Sequence, residues 1–227
     1  MLTLEQHFSA GYLPAALGSY FNVALLLAGA STGAPPELST AIAARIPELR
    51  QSGERVKESV RHVEALAALE GVVVPVPPRV PEEYFSWFTA VHEGFRANLT
   101  VNDPDEVVWA FGHRVGEIFC TEAVAAMVLV LLRAAPDSAF LQRQRDACAA
   151  DLLGTVRALL VTTQHPALPQ PLYALGELLH SSVSAGAERL LEGVETSEGL
   201  DERLRELRVA VQHATNALRA NGGAAEA

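Results

Sequence analysis

The sequence predicts an all-α protein, a single-core bundle of six to eight helices with a long central helix near residues 104–134. Along most of the 227 residues, apolar side chains recur at alternating steps of three and four, the periodicity of helices that bury one face. No stretch shows the period-two alternation of strands. No long-period repeat indicates a solenoid.

A short helix and a second, longer helix are predicted at the N-terminus. Thr3 can open a first helix that Gly11 ends, because glycine favours helix termini. Pro14 then begins a second helix through Leu27, since proline is well tolerated at the first helical position. Residues 31–36 (STGAPP) form a loop with strong helix-breaking chemistry.

Residues 37–70 form the next helical segment, and Pro47 is predicted to divide it into a short and a longer helix. Residues 72–81 (VVVPVPPRVP) contain four prolines, so this stretch is predicted to be extended. We interpret it as a strap across a single domain, with a linker between two domains as the alternative. The apolar stripe of the helical segment consists of Ile42, Ile46, Leu49, Gly53, Val56, Val60, Val63 and Ala67.

An aromatic helix at 81–98 and the central helix follow. Asp103, with Pro104 and Glu106 behind it, has the spacing of a capping box. The second half of the central helix is apolar on nearly every side, which is typical of a helix inside a bundle. Gly112 and Gly116 are expected to let a neighbouring helix approach closely.

The last three predicted helices span 137–163, 172–194 and 200–221, the first of them capped by Asp137. Small residues at 181–187 (SSVSAGA) indicate that another helix comes close there. Residues 1–221 are predicted to be one all-α domain, and residues 222–227 a disordered tail.

The composition narrows the function classes. The formal charge of −10 opposes sequence-independent binding to nucleic acid, and it suits a basic protein partner. Cys120 and Cys148 have no metal-ligand spacing and are expected to be buried free thiols. The first 40 residues contain no Lys or Arg for a signal peptide, and the longest purely apolar run is short for a membrane span. We therefore expect a cytoplasmic protein that does not enter membranes.

Glu122 is the one residue of the central helix that packing alone does not explain. It lies on the same helical face as Val115, Ile118 and Ala125, where an unpaired charge would be costly. Three interpretations remain open: an arginine or backbone donor of a neighbouring helix pairs with it, the face is less buried than its sequence indicates, or Glu122 binds a ligand or metal.

Glu106, His113 and Glu117 follow one another at steps of seven and four on the opposite side of the same helix. Such spacing can present carboxylate and imidazole groups to one ion, although a solvated polar face is the simpler interpretation. Glu177 and His180 match one Glu-x-x-His element, whereas a ferritin-like site needs two. No metal or other cofactor is therefore assigned.

Two hypotheses for function follow. The first is a non-enzymatic protein-binding protein, such as an adaptor, regulator or immunity-type inhibitor, whose acidic surface meets a basic partner. The terminal helix could also mediate a homodimer. The alternative is a bundle that binds a metal ion or a small apolar ligand near Glu122. No phosphate-binding loop, nucleophile elbow or zinc-protease motif is present in the sequence, but an enzyme without a legible motif stays open.

Overall fold

The computed structural model describes residues 2–223, and from residue 221 onward the backbone alone. The all-α prediction is confirmed: within these residues there are seven α-helices and no strand. The central helix has the predicted bounds. The helices are α1 (Leu4–Ser31), α2 (Pro36–Leu69), α3 (Tyr84–Arg96), α4 (Pro104–Ala134), α5 (Ala139–Thr163), α6 (Gln170–Glu192) and α7 (Ser197–Gly223).

Helices α1 and α4 form a closely packed pair at the centre of the bundle. A Cβ atom at Gly112 would overlap the carbonyl oxygen of Phe8, and one at Gly116 would overlap that of Tyr12. On the opposing helix, a Cβ atom at Gly11 would overlap the carbonyl oxygen of Trp109. The two backbones can approach only because these positions lack side chains. This agrees with the close approach of a neighbouring helix that was predicted at Gly112 and Gly116.

The prediction of two N-terminal helices is wrong, because α1 continues through both Gly11 and Pro14. Gly11 is needed for the contact with α4 and does not end the helix. Pro14 is buried, and the Tyr84 hydroxyl donates a hydrogen bond of 2.7 Å to its carbonyl oxygen. Tertiary packing therefore outweighs the cost of an interior proline, about 3 kcal/mol.

Helix α2 is also continuous, and Pro47 does not break it. Leu38 and Ile42 are buried near its start, as are Val60 and Val63 near its end. Between positions 43 and 59 no residue is buried. The predicted stripe is thus fully buried only at its two ends, while Leu49 and Val56 in the middle of α2 pack against the core but stay partly exposed.

Residues 72–78 form neither helix nor strand, residues 79–80 bend, and the last residue of the predicted extended segment, Pro81, begins a 3-10 turn (Pro81–Glu83) that leads into α3. Val72 and Val74 pack against the α1–α2–α3 side of the bundle, whereas Val76 is 77% exposed. The valines of this strap therefore differ, because Val72 and Val74 pack inward and Val76 faces solvent. The aromatic side chains of α3 are largely core, with Trp87 and Phe95 almost fully buried.

The buried side chains fall into three clusters that share α1 and α4. The largest joins α4 to α5, α6 and α7. The second lies among α1, the end of α2 and α3, and the third between the start of α2 and the start of α5.

Helix ends differ in detail from the predictions. The Asp103 side chain makes no capping hydrogen bond; instead the Glu106 carboxylate accepts one from the Asn102 backbone N–H, at 3.3 Å. At the start of α5 the cap is Ser138 rather than Asp137, and its hydroxyl accepts from the Leu141 N–H. Helix α7 reaches Gly223, and residues 224–227 of the predicted tail lie outside the described residues.

Helices α1 and α4 are each long and apolar enough to cross a membrane. Their most apolar windows have mean hydropathies of 1.5 and 2.1, and 50% and 56% of these windows are buried inside the protein. Central helices of a packed bundle have this same composition. The expectation that the chain does not enter membranes stays a prediction.

Candidate functional site

Glu122 is fully buried and paired with an arginine of α7. Nε of Arg203 donates a hydrogen bond of 2.6 Å to its Oε1 atom. Arg203 is itself almost fully buried, and its Nη1 lies 3.1 Å from Oε2 of Glu195. Arg189 completes the network from α6, with Nη2 2.8 Å from the same Glu195 oxygen. The carboxylate of the central helix is therefore part of a chain of four charges.

A glycine makes room for this network. A Cβ atom at Gly186 of α6 would overlap the Arg203 guanidinium, so the small residues at 181–187 admit a side chain of α7. Burial raises the pKa of Glu122, and the neighbouring Arg203 charge only partly opposes this shift. Burial acts in the same direction on Glu195, but hydrogen bonds from the Thr196 N–H and both arginines lower its pKa overall. Among the described residues, Glu122 Oε2 has no hydrogen-bond partner.

This geometry agrees with one of the three interpretations of Glu122, pairing with an arginine from a neighbouring helix. An ion pair of this kind joins α4 to α7, and removal of one partner would leave the other as an unpaired buried charge. A metal or ligand at Glu122 stays a prediction. Arg203 was not predicted as the partner of Glu122, although it lies between Leu200 and Leu207, inside the apolar stripe of α7.

His113 and Glu117 lie together on the side of α4 that faces α3. Nε2 of His113 is 3.3 Å from Oε1 of Glu117, and Nη1 of Arg114 is 2.6 Å from Oε2. His113 is buried rather than solvated, and the His92 ring of α3 is centred 4.6 Å from its ring. Burial lowers the pKa of His92 to about 4, and the adjacent His113 adds to this shift. Burial acts to raise the pKa of Glu117, but His113 and Arg114 lower it overall.

Glu106, the third residue of that predicted edge, caps the start of α4 instead of joining this cluster. Within the described part of the chain, no group of three or more His, Cys, Asp or Glu side chains is arranged to hold a metal ion. His92 was not predicted to belong to this cluster, although its position four residues after Phe88 placed it beside the aromatic stripe.

A groove of about 710 Å³ runs between α6 and α7 on the protein surface. Its floor and walls are mainly apolar, and Leu178 and Val209 are exposed within it, Val209 to 58%. The apolar lining residues are Pro171, Ala174, Leu175, Leu178, Val209, Ala210, Ala214 and Ala217.

Charged residues of α7 line the same groove. Nη1 of Arg205 lies 2.6 Å from Oε2 of Glu202, so these two charges neutralise each other. Glu206 has no ion-pair partner in the part of the chain that the structure describes. The groove therefore combines an apolar floor with an excess negative charge on its α7 side.

Comparison with models of known protein families, with curated proteins and with solved structures finds no match for this chain.

Proposed function

We propose that this is a non-enzymatic, cytoplasmic protein-binding protein that holds an amphipathic helix of a basic partner protein in the α6–α7 groove. The apolar groove on an acidic protein is the observation that carries this proposal. The identity of the partner decides whether the protein acts as an adaptor, a regulator or an inhibitor.

The shape and lining of the groove support a helical ligand. Amphipathic helices bind by laying apolar residues spaced three and four apart into a hydrophobic groove. Helices α6 and α7 supply the two walls of such a groove, with small alanine side chains along α7 and the larger Leu178 and Val209 exposed. An exposed apolar surface flanked by polar residues is typical of a protein interaction site.

The charge supports a basic partner. The chain carries 27 acidic and 17 basic residues, and Glu206 on the groove wall has no partner among the described residues. Complementary charge accelerates the encounter and selects the orientation of a bound helix. The peptide that fits this site has an apolar stripe flanked by lysine or arginine.

Photo-crosslinking in the native host tests this proposal. A benzophenone amino acid is placed at Val209, inside the groove, and as a control at Val161, an exposed valine of α5 outside it. We expect the Val209 position to capture a different protein, at a basic amphipathic helix, and the Val161 position not to capture it.

Capture only of a second copy of this chain at Val209 would contradict the proposal and assign the groove to a homodimer. Sedimentation velocity of the purified protein then gives a second readout, because a groove-mediated dimer dissociates on dilution. Equal capture of the same proteins at Val209 and Val161 would also contradict it.

A further inference from the structure

A second concave site lies beneath the middle of α2. No side chain of α2 between positions 43 and 59 is fully buried, and these central turns form one side of a gap above α1. The side chains of Leu49, Ser52 and Val56 point into this gap, and all are only half-buried. Tyr20 of α1 reaches across to α2, where its hydroxyl would lie 3.4 Å from a Cβ atom at Gly53.

The gap is a pocket of about 410 Å³, within the range of about 300–1,000 Å³ that is usual for small-molecule sites. Helices α1, α2 and α4 supply its apolar lining, including Leu17, Val23 and Met127. It shares no lining residue with the α6–α7 groove. The pocket is therefore a separate site from the proposed protein-binding surface.

Three arginines and one glutamate line this pocket, so it is positively charged in a chain whose formal charge is −10. Arg45 uses Nη1 to bind Glu48 at 3.0 Å, while its Nε is buried without a hydrogen-bond partner among the described residues. Arg55 donates to the Ser52 hydroxyl at 3.2 Å. Arg208 enters from α7.

Hydroxyl groups add neutral donors. Tyr12 and Tyr20 of α1 and three serines line the same pocket. Burial raises the pKa of Tyr12 to about 12, with the Arg208 charge opposing the shift, so Tyr12 keeps its proton at neutral pH. The lining thus offers guanidinium and hydroxyl donors beside an apolar wall.

We propose that this pocket binds a small amphiphilic anion, a carboxylate or phosphate head group on an apolar body such as a medium-chain acyl group. The head group takes the guanidinium charges of Arg45 and Arg208, which line the pocket, since guanidinium groups bind carboxylate and phosphate oxygens with charge-assisted hydrogen bonds. The acyl body fills the apolar space among α1, α2 and α4.

Calorimetric titration with three probes of one chain length tests the head group. Dodecanoate and dodecyl phosphate are added below their micelle-forming concentrations, and dodecanol below its solubility limit, to the full-length protein. We expect the two anions to bind with one-to-one stoichiometry, and dodecanol at least about tenfold more weakly because it lacks the charge. Equal affinity for dodecanol and dodecanoate overturns the proposal.

Charge-removing variants test the arginines. Arg45→Gln and Arg208→Gln should each weaken dodecanoate binding about tenfold. Arg143→Gln, which removes an exposed arginine of α5 outside the pocket, should leave it unchanged. Ala123→Phe fills the apolar wall from α4 and should abolish binding. If dodecanoate affinity is the same in the Arg45 and Arg208 variants as in the Arg143 control, the site is not this pocket.

A flotation assay identifies the source of the amphiphile. Vesicles of phosphatidylglycerol are mixed with the protein in the presence and absence of dodecanoate. Flotation that dodecanoate suppresses indicates that the pocket takes the acyl chain of a membrane lipid, and no flotation indicates a free amphiphile; both results support an anionic acyl ligand. Flotation that dodecanoate and the arginine variants leave unchanged overturns it.

Discussion

Replacement of Arg203 by methionine should be among the most destabilising single changes in the protein. The substitution keeps much of the side-chain volume but removes the cation between two buried carboxylates. Glu122 is fully buried and loses the partner of its Oε1 atom, while Glu195 keeps Arg189. Breaking one side of a buried ion pair costs about 3–5 kcal/mol. That is a large part of the about 5–15 kcal/mol by which domains are stable.

A second substitution separates the ion pair from simple packing. In Glu122→Leu/Arg203→Met the buried carboxylate is gone as well, so the double variant should recover most of the stability lost in Arg203→Met. Arg205→Met, two residues along α7, breaks only the exposed pair with Glu202 and should change stability by less than about 1 kcal/mol.

Urea unfolding followed by far-ultraviolet circular dichroism measures these differences in stability, provided that the free energy of unfolding falls with urea concentration at the same slope in all variants. If Arg203→Met loses no more stability than Arg205→Met, the energetic role assigned to the buried ion pair is refuted. So would a double variant as unstable as Arg203→Met, because the cost would then come from lost packing rather than from an unpaired Glu122.

Two further predictions concern close packing and titration. Gly112→Ala should destabilise the protein by about 1–3 kcal/mol in thermal unfolding because its Cβ would meet the Phe8 backbone, whereas Gly154→Ala, with open space around it, should stabilise it by about 0.5–1 kcal/mol; equal effects would contradict the close α1–α4 contact. Because the pKa of His92 is lower in the folded protein, the unfolded chain binds a proton at this residue at a higher pH than the folded protein does. The contribution of neutral His92 to stability is therefore complete above pH 6.5 and is lost as the pH falls towards 4. For this half-buried ring, solvent screening limits the loss in the free energy of unfolding to about 1–2 kcal/mol. Measured by urea unfolding at these two pH values, the free energy of unfolding of His92→Gln should fall by that much less than that of the wild type.

The sequence predicted the helices where local and tertiary preferences agree. The bounds of α4 were read correctly because Pro104 opens it and its apolar residues continue to the next loop. The two glycines of α4 indicated a close neighbour, but not that α1 supplies it. To predict α1 as that neighbour, Gly11 would have to be interpreted as a packing residue. A glycine that shortly precedes a proline, as Gly11 precedes Pro14, more often ends a helix.

The sites were predicted less completely, because they depend on pairs of residues far apart in sequence. Glu122 was singled out correctly as a residue that needs a partner, yet Arg203 lies 81 positions away. The pocket beneath α2 could not be predicted at all, since the regular stripe of α2 indicated burial along its whole length. Only the tertiary arrangement shows that its middle is partly exposed above a pocket.

Binding through the α6–α7 groove is tested most directly by the affinity of groove variants for the partner that the Val209 crosslinker captures. Val209→Asp places a charge on the apolar surface, and Val161→Asp makes the same change on exposed α5. We predict that Val209→Asp weakens binding at least about tenfold while Val161→Asp leaves it within about twofold, because a charge buried at an apolar interface is costly. Equal dissociation constants for the two variants would contradict the proposed binding site.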